Sequence, residues 1–178
     1  MLSSRRLCLI GCAAACVVGC VSHKALAPSS LPPALAVPGG EVLRHTLHGS
    51  GVQIYECRPS AQHGFAWVLQ APAADLADRS GKDVGRHYEG PTWEANDGSK
   101  VVGEVVARDP GPVPSAVPWL LLKAKSTAGK GMFAKVQFIQ RLNTVGGLAP
   151  QSGCDPGHAG QRTRVAYSAD YYFYVARR

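Results

Sequence analysis

The chain is short of charge, of aromatic rings and of any long unbroken apolar run. Asp, Glu, Lys and Arg make up 17% of its 178 residues, below the usual quarter, which argues against a charged tail or a salt-bridge-laced coiled coil. The longest apolar stretch, Leu7 to Gly19, falls well short of the roughly 20 residues that cross a bilayer as a helix. Outside that stretch no window of eleven or more residues carries a helical stripe, and no segment repeats. G-x-G-x-x-G after a strand, a P-loop, G-x-S-x-G, H-E-x-x-H and S-x-x-K are all missing. Those absences weaken the case for common hydrolases and nucleotide enzymes without excluding an enzyme of another type.

What is present begins with an export signal. Arg5-Arg6, the apolar stretch and Val17-Val18-Gly19-Cys20 form a basic start, a short apolar region and a small residue before a break. The ending resembles a lipobox, in which cleavage precedes the Cys and that Cys takes a lipid. Leu9-Ile10-Gly11-Cys12 would leave too short an apolar region, and Ala13-Ala14-Ala15-Cys16 lacks the branched residue three before the Cys. Residues 1–19 are therefore expected to be a lipoprotein signal peptide and Cys20 the lipid attachment site. The competing cleavage is after Ala25-Leu26-Ala27, directly before Pro28. Val21 is not the Asp that favours inner-membrane retention, so the expected location is the outer membrane of a double-membraned bacterium, facing the periplasm.

Six cysteines reduce to two under this reading. Cys8, Cys12 and Cys16 leave with the leader, Cys20 is lipidated, and Cys57 and Cys154 remain. Two cysteines in an oxidising compartment most simply pair, the alternative being a free reactive thiol at Cys57. Without Arg5 and Arg6, 17 basic residues stand against 12 acidic ones, a net +5. They are dispersed, the densest group being Lys123 to Lys135. This is a solvated basic surface near anionic lipid or cell wall rather than a nucleic-acid stripe.

The organisation is one β domain behind a tether. Residues 20–40 are rich in Ala, Pro and Ser and have no periodicity. From Glu41 to Arg178 the pattern is β. Val52 to Cys57 alternates, entered through Gly49-Ser50-Gly51; Phe65, Trp67 and Leu69 alternate before Ala71-Pro72. Ala71 to Ala77 is read as a short helical turn. Thr92 to Ala95 and Lys100 to Arg108 flank Asn96-Asp97-Gly98-Ser99, a hairpin signal whose two central residues are expected at positive φ. Trp119 to Ala124 and Met132 to Leu142 follow, joined by Gly129-Lys130-Gly131. In the latter, Met132, Ala134, Val136, Phe138 and Leu142 share a face with Gln140 as polar exception, and Lys135, Gln137 and Arg141 oppose them. Thr163 to Ala176 sets Val165, Tyr167, Ala169, Tyr171, Phe173 and Val175 against Ser168 and Asp170. The expected fold is all-β, a single antiparallel sandwich or barrel.

Four segments in order carry a family resemblance. They are Gly51 to Cys57, Gly85 to Ser99, Ile139 to Gly147 (Ile-Gln-Arg-Leu-Asn-Thr-Val-Gly-Gly) and Tyr167 to Phe173 (Tyr-Ser-Ala-Asp-Tyr-Tyr-Phe). Together they resemble a secreted bacterial and fungal family catalogued as domain of unknown function 3455. The resemblance spans nearly all of the chain after the tether. It implies secretion and the Cys57–Cys154 pairing, and it brings no activity with it. Some relatives carry dehydrogenase names, which this chain's lack of a dinucleotide fingerprint and βαβ unit does not support.

Candidate chemistry centres on His87, Glu94 and Asp97. A His with carboxylates can act as acid and base or hold a metal, although Gly90-Pro91 breaks the register between them and Asp97 is better explained by its turn. Asp170 is expected either to pair with Arg141 on a neighbouring strand or to line an aromatic cleft. Trp67, Trp93 and Trp119 could stack on sugar rings, with packing favoured for at least two. His45, His48, His63 and His158 show no metal-ligand spacing, so no metal and no cofactor is expected. Three functions remain. The first is a non-catalytic binding module for a small molecule, glycan or envelope component, its cleft lined by His87, Tyr88, Trp93 and Tyr172. The second is an enzyme using His87 with Glu94 or Asp170. The third is an envelope assembly or inhibitor protein with an exposed apolar patch or sheet edge.

Overall fold

The computed structural model describes residues 31–62 and 64–177. The signal peptide, Cys20 and His63 lie outside the described residues. Eight antiparallel strands form a closed barrel in sequence order: β1 (Glu41–Ser60), β2 (Gly64–Ala77), β3 (Asp83–Tyr88), β4 (Thr92–Ala95), β5 (Lys100–Asp109), β6 (Trp119–Ala128), β7 (Val136–Gly146) and β8 (Arg162–Ala176). Closure comes from β1, which pairs with β2 on one side and β8 on the other; the ladder between β2 and β3 is short and takes in only Ala74 to Ala77 of β2. The expected all-β class is what is observed, as a barrel.

Alternation of side chains decides what fills it. Along β8, Tyr167, Ala169, Tyr171 and Phe173 point inward and are buried, while Ser168, Asp170 and Tyr172 point outward. They meet Leu47, Leu76, Trp93, Val101, Leu122 and Ile139 in one continuous interior. Outward positions carry Glu56, Arg86, Glu94, Glu104 and Lys123, the arrangement of a barrel whose outside faces water. Large rings fit because small residues face them. A Cβ at Gly49 would lie 2.7 Å from the Tyr171 ring.

Because the strands alternate in direction, the β1–β2 turn, Glu89–Pro91 and the loops 110–118 and 147–161 gather at one end, here the upper end. Loops 78–82, 96–99 and 129–135 gather at the lower end. Phe133, fully buried, closes the lower mouth, its backbone N–H donating to Ser99 Oγ at 3.0 Å. Val117 packs at the upper mouth, its N–H donating to the Gly146 carbonyl at 2.9 Å beside an Ala116–Gly147 bridge. The Cys57–Cys154 disulfide ties the 147–161 loop to β1, so Cys57 is not a free thiol.

Several local expectations are corrected. Gly49-Ser50-Gly51 lies inside β1, which starts eight residues earlier, at Glu41. Ala71 to Ala77 continues β2 rather than forming a helical turn, since ladder pairing on β1 outweighs the helix preference of alanine. Asp97 does not adopt positive φ; in the Asn96–Ser99 hairpin only Gly98 does, at 80°. Asp97 instead accepts from Ser99 N–H and Oγ at 2.8 and 2.6 Å and from Met132 N–H at 2.8 Å. Met132 to Lys135 belong to the lower loop, and a bulge between Val136 and Phe138 inverts the expected faces of β7. Val136, Ile139 and Arg141 then belong to the inner face, and Phe138, Gln140 and Leu142 to the outer one.

Those outer residues are covered by a strap. Leu31 to Val37, with one 3-10 turn at Pro33–Leu35, runs over the outside of β5 to β8. Leu35 is fully buried against Leu121 and Leu142, with Ala107, Trp119, Phe138 and Tyr172 around it. The expected tether thus divides. Residues 20–30 lie outside the described residues, and Leu31 to Val37 pack on the barrel ahead of β1.

Candidate functional site

The strand parity that builds the core also scatters the residues singled out from the sequence. His87 pairs with Trp93 across β3 and β4, and both face inward, 3% and 1% exposed. Their rings stack with centroids 4.3 Å apart. His87 Nδ1 lies 2.8 Å from the Thr92 carbonyl, which can only accept, so Nδ1 carries the proton. Burial holds the His87 pKa down to about 3; Arg141 adds to the drop and the Thr92 carbonyl opposes it. The imidazole is a neutral core group.

Tyr88 and Glu94 are on the opposite, outer face. Tyr88 Oη donates to Glu94 Oε2 at 2.7 Å, and Arg86 and Lys100 each reach the same oxygen at 3.2 Å. The Tyr88 hydrogen bond, aided by Lys100 and Arg86, holds the Glu94 carboxyl below its usual range. Beside them a polar groove of about 380 Å³ is lined by Asp75, Asp83, Arg86, Glu94 and Asn96. Asp170 also faces out. It meets His48 Nδ1 at 2.9 Å and accepts from Asn143 Nδ2 at 2.9 Å. Tyr172 packs beneath the strap.

The cleft expected from His87, Tyr88, Trp93 and Tyr172 therefore does not form, since two of the four are inside the barrel and two are outside. The Arg141–Asp170 pair does not form either. Asp170 is level with Leu142 and Arg141 with Tyr171, and the one-residue offset puts them on opposite faces. His87, Glu94 and Asp170 sit in three separate hydrogen-bond networks, which removes the acid–base arrangement expected of them. Trp93 is core, Trp119 packs on the strap seam, and Trp67 donates from Nε1 to the Ser152 carbonyl at 2.9 Å. His158 lies 2.7 Å from Asp155. Among the described residues no group of three or more His, Cys, Asp or Glu could hold a metal.

One polar constellation remains, at the upper end of the interior. Arg141 Nε and Nη2 donate to the Pro118 carbonyl at 3.2 and 2.8 Å. Tyr55 donates to the Gly147 carbonyl at 2.6 Å, and the Tyr167 and Tyr171 hydroxyls lie 3.1 Å apart. Burial raises the pKa of all three phenols, so none is a phenolate that could balance the guanidinium. Among the described residues no carboxylate pairs with Arg141, whose own pKa is lowered by burial and by Arg108. Gln53, 1% exposed, has neither amide atom hydrogen-bonded among the described residues. Gly147 (φ 83°) lies so close that a Cβ there would be 2.8 Å from Tyr167 Cβ and 3.2 Å from Gln53 Cγ.

Arg141 was singled out from the sequence, but with the wrong partner. Gln53, Tyr55, Tyr167 and Tyr171 were missed as site residues. The signal that could have found them is parity: Gln53 shares the face of Tyr55 and Cys57 in the Val52 to Cys57 alternation, which makes it a glutamine on an inward face.

A family model described as "Protein of unknown function (DUF3455)" matches residues 38–175. No curated protein and no solved structure matches.

Proposed function

The chain belongs to the DUF3455 family of proteins of unknown function, and from that premise we propose that it is an exported, membrane-tethered, non-catalytic binding module for a small molecule, glycan or envelope component. Export, cleavage before Cys20 and lipidation of that residue rest on the leader. The Cys57–Cys154 bond supports them, because such bonds persist in oxidising compartments. With no inner-membrane retention signal at Val21, the anchor lies in the outer membrane and the barrel hangs in the periplasm.

The observation that carries the binding reading is the unpartnered Gln53 amide, buried at the same end of the barrel interior as the Arg141 guanidinium. A buried amide with no partner costs about 1–3 kcal/mol, and a buried guanidinium without a counter-charge is also unfavourable. Such a pair is the mark of a site built to receive something. By contrast, His87, Glu94 and Asp170 are each satisfied in their own network, which is why catalysis is the weaker reading. The test is a thermal-shift array of envelope extracts, glycans and small metabolites against the full exported chain and its Gln53→Leu variant. Stabilisation of the parent that the variant loses supports the module; an absence of response to every fraction counts against it.

A second reading has its own observation. Val113, Val145 and Leu148 are 39%, 60% and 41% exposed in or beside the loops joined by the Ala116–Gly147 bridge. An apolar rim of this kind suits a protein partner in envelope assembly. In-cell crosslinking from Val145 to one defined envelope protein would favour it.

A further inference from the structure

Arg108, Leu120 and Arg141 form one row across β5, β6 and β7 at the upper end of the barrel. Arg108 and Arg141 are thus two strands apart, about 10 Å between backbones, and residues paired along a row share a face. Leu120 and Arg141 face inward, and Arg108 stands on the same side at the rim. Two guanidinium groups share this mouth, and neither has a carboxylate ion pair among the described residues. Asp109, next along the chain, spends Oδ1 on the Gly111 N–H at 2.8 Å. Above the Pro118 carbonyl that holds Arg141, an open groove of about 350 Å³ is lined by Arg108, Asp109, Pro110, Pro114, Ala116 and Pro118. Its floor and walls are mostly proline and alanine. Inside the same mouth lies the buried, unpartnered amide of Gln53.

We propose that this mouth binds a small amphiphilic anion. Its carboxylate or phosphate head sits between Arg108 and Arg141 within reach of the Gln53 amide, and its apolar body lies along the Pro110–Pro118 groove. The proposal rests on the binding-module reading and names its ligand class. An anion satisfies three features together: it neutralises two like charges, gives the Gln53 N–H₂ an acceptor, and covers an apolar groove. A neutral sugar would leave the paired guanidinium charges uncompensated, and a cation would add to them.

Isothermal titration of the full exported chain with octanoate, octyl phosphate and octyl glucoside, each below its micellar concentration, tests this. Saturable binding of at least one of the two anions, weakening with salt, and no binding of the glucoside are expected. Arg108→Met, at an exposed position, is expected to lower anion affinity about tenfold, as for loss of one charge-assisted contact. Arg141→Met and Gln53→Leu are expected to lower it as well, with melting curves confirming that each is folded. Arg108→Met keeps the test decisive if Arg141→Met does not fold. Tight binding of the glucoside, or anion binding unchanged in Arg108→Met, overturns the anion assignment but leaves a binding module. Silence toward all three probes together with a silent extract array overturns both.

Discussion

His87 and Trp93 lie face to face inside the barrel, ring planes 12° apart and centroids separated by 4.3 Å. Trp93, Tyr171, Arg141 and the Thr92 carbonyl surround the imidazole, and none of them is an anion. Unfolded, the ring takes a proton near pH 6.5; folded, it refuses one until about pH 3. The unfolded chain therefore binds more protons between those values. Stability is complete above pH 6.5 and falls as the pH drops, by up to roughly 1.4 kcal/mol per pH unit. His45 adds to the same limb, because burial and the neighbouring Arg44 lower its pKa, with Asp97 opposing them. Urea midpoints between pH 7.5 and 4.5 should slope downward toward acid. His87→Phe should flatten that slope more than His45→Gln does. An unchanged slope in His87→Phe would mean that the ring is not the sensor.

The Cys57–Cys154 bond closes a sequence separation of 97 residues. In the chain-entropy model such a loop restricts the unfolded chain by about 4–5 kcal/mol, commonly an upper figure. Cys57 is fully buried, so replacement by alanine avoids stranding a hydroxyl. The double variant Cys57→Ala/Cys154→Ala should remain a barrel, because Cys57 N–H still donates to the Gln161 carbonyl and Gly160 N–H to the Cys57 carbonyl. Its urea midpoint should drop by about a molar or more, and the m-value should rise because the unfolded chain, no longer cross-linked, exposes more surface. An unaltered midpoint would show that the bond contributes nothing to stability.

Anchoring is a separate matter from folding. If Cys20 is lipidated, Cys20→Ala should move the protein from the membrane pellet to the soluble fraction or leave the leader uncut, and intact mass should show which. A wild-type mass that begins at Pro28 with no lipid, and a distribution unaffected by Cys20→Ala, would replace the lipoprotein with a freely secreted protein.

The strand class was legible because alternation is a local property. β8 and the β4–β5 hairpin lie where the pattern puts them. The Gly85 to Ser99 motif was also legible as a unit, but its direction was not. Whether His87 points in or out depends on where β3 pairs with β4, and Gly90-Pro91 hides that register from a reader of the chain. One bulge between Val136 and Phe138 inverted all of β7 downstream, turning Arg141 inward and Gln140 outward. The Arg108–Arg141 row could not be seen at all, since it joins residues 33 apart through a third strand. The strap was hidden by composition. Leu31-Pro32-Pro33-Ala34-Leu35 reads as tether because its periodicity is nil, yet two leucines and a valine are enough to cover an outer seam that the barrel itself leaves apolar.

That seam gives the last prediction. Leu35 is fully buried, and its carbonyl accepts from Gln140 Nε2 at 2.7 Å, while Gln140 Oε1 accepts from Tyr174 Oη at 2.7 Å. Gln140 thus joins the strap to β8 through one buried amide, and the Tyr174 phenol beside it is pushed up to about 12, chiefly by burial. Leu35→Ala removes apolar contact and leaves a void, so it should cost about 2–4 kcal/mol. Gln140→Leu strands a carbonyl and a hydroxyl and should cost about 1–3 kcal/mol. If the strap acts as one unit, the double variant costs less than the sum of the singles, because once Leu35 has let go its carbonyl can turn to water. Denaturant melts of the three proteins measure this directly. Strict additivity, or a Leu35→Ala cost near zero, would mean that Leu31 to Val37 does not hold the outer seam, and that the packed body starts at β1.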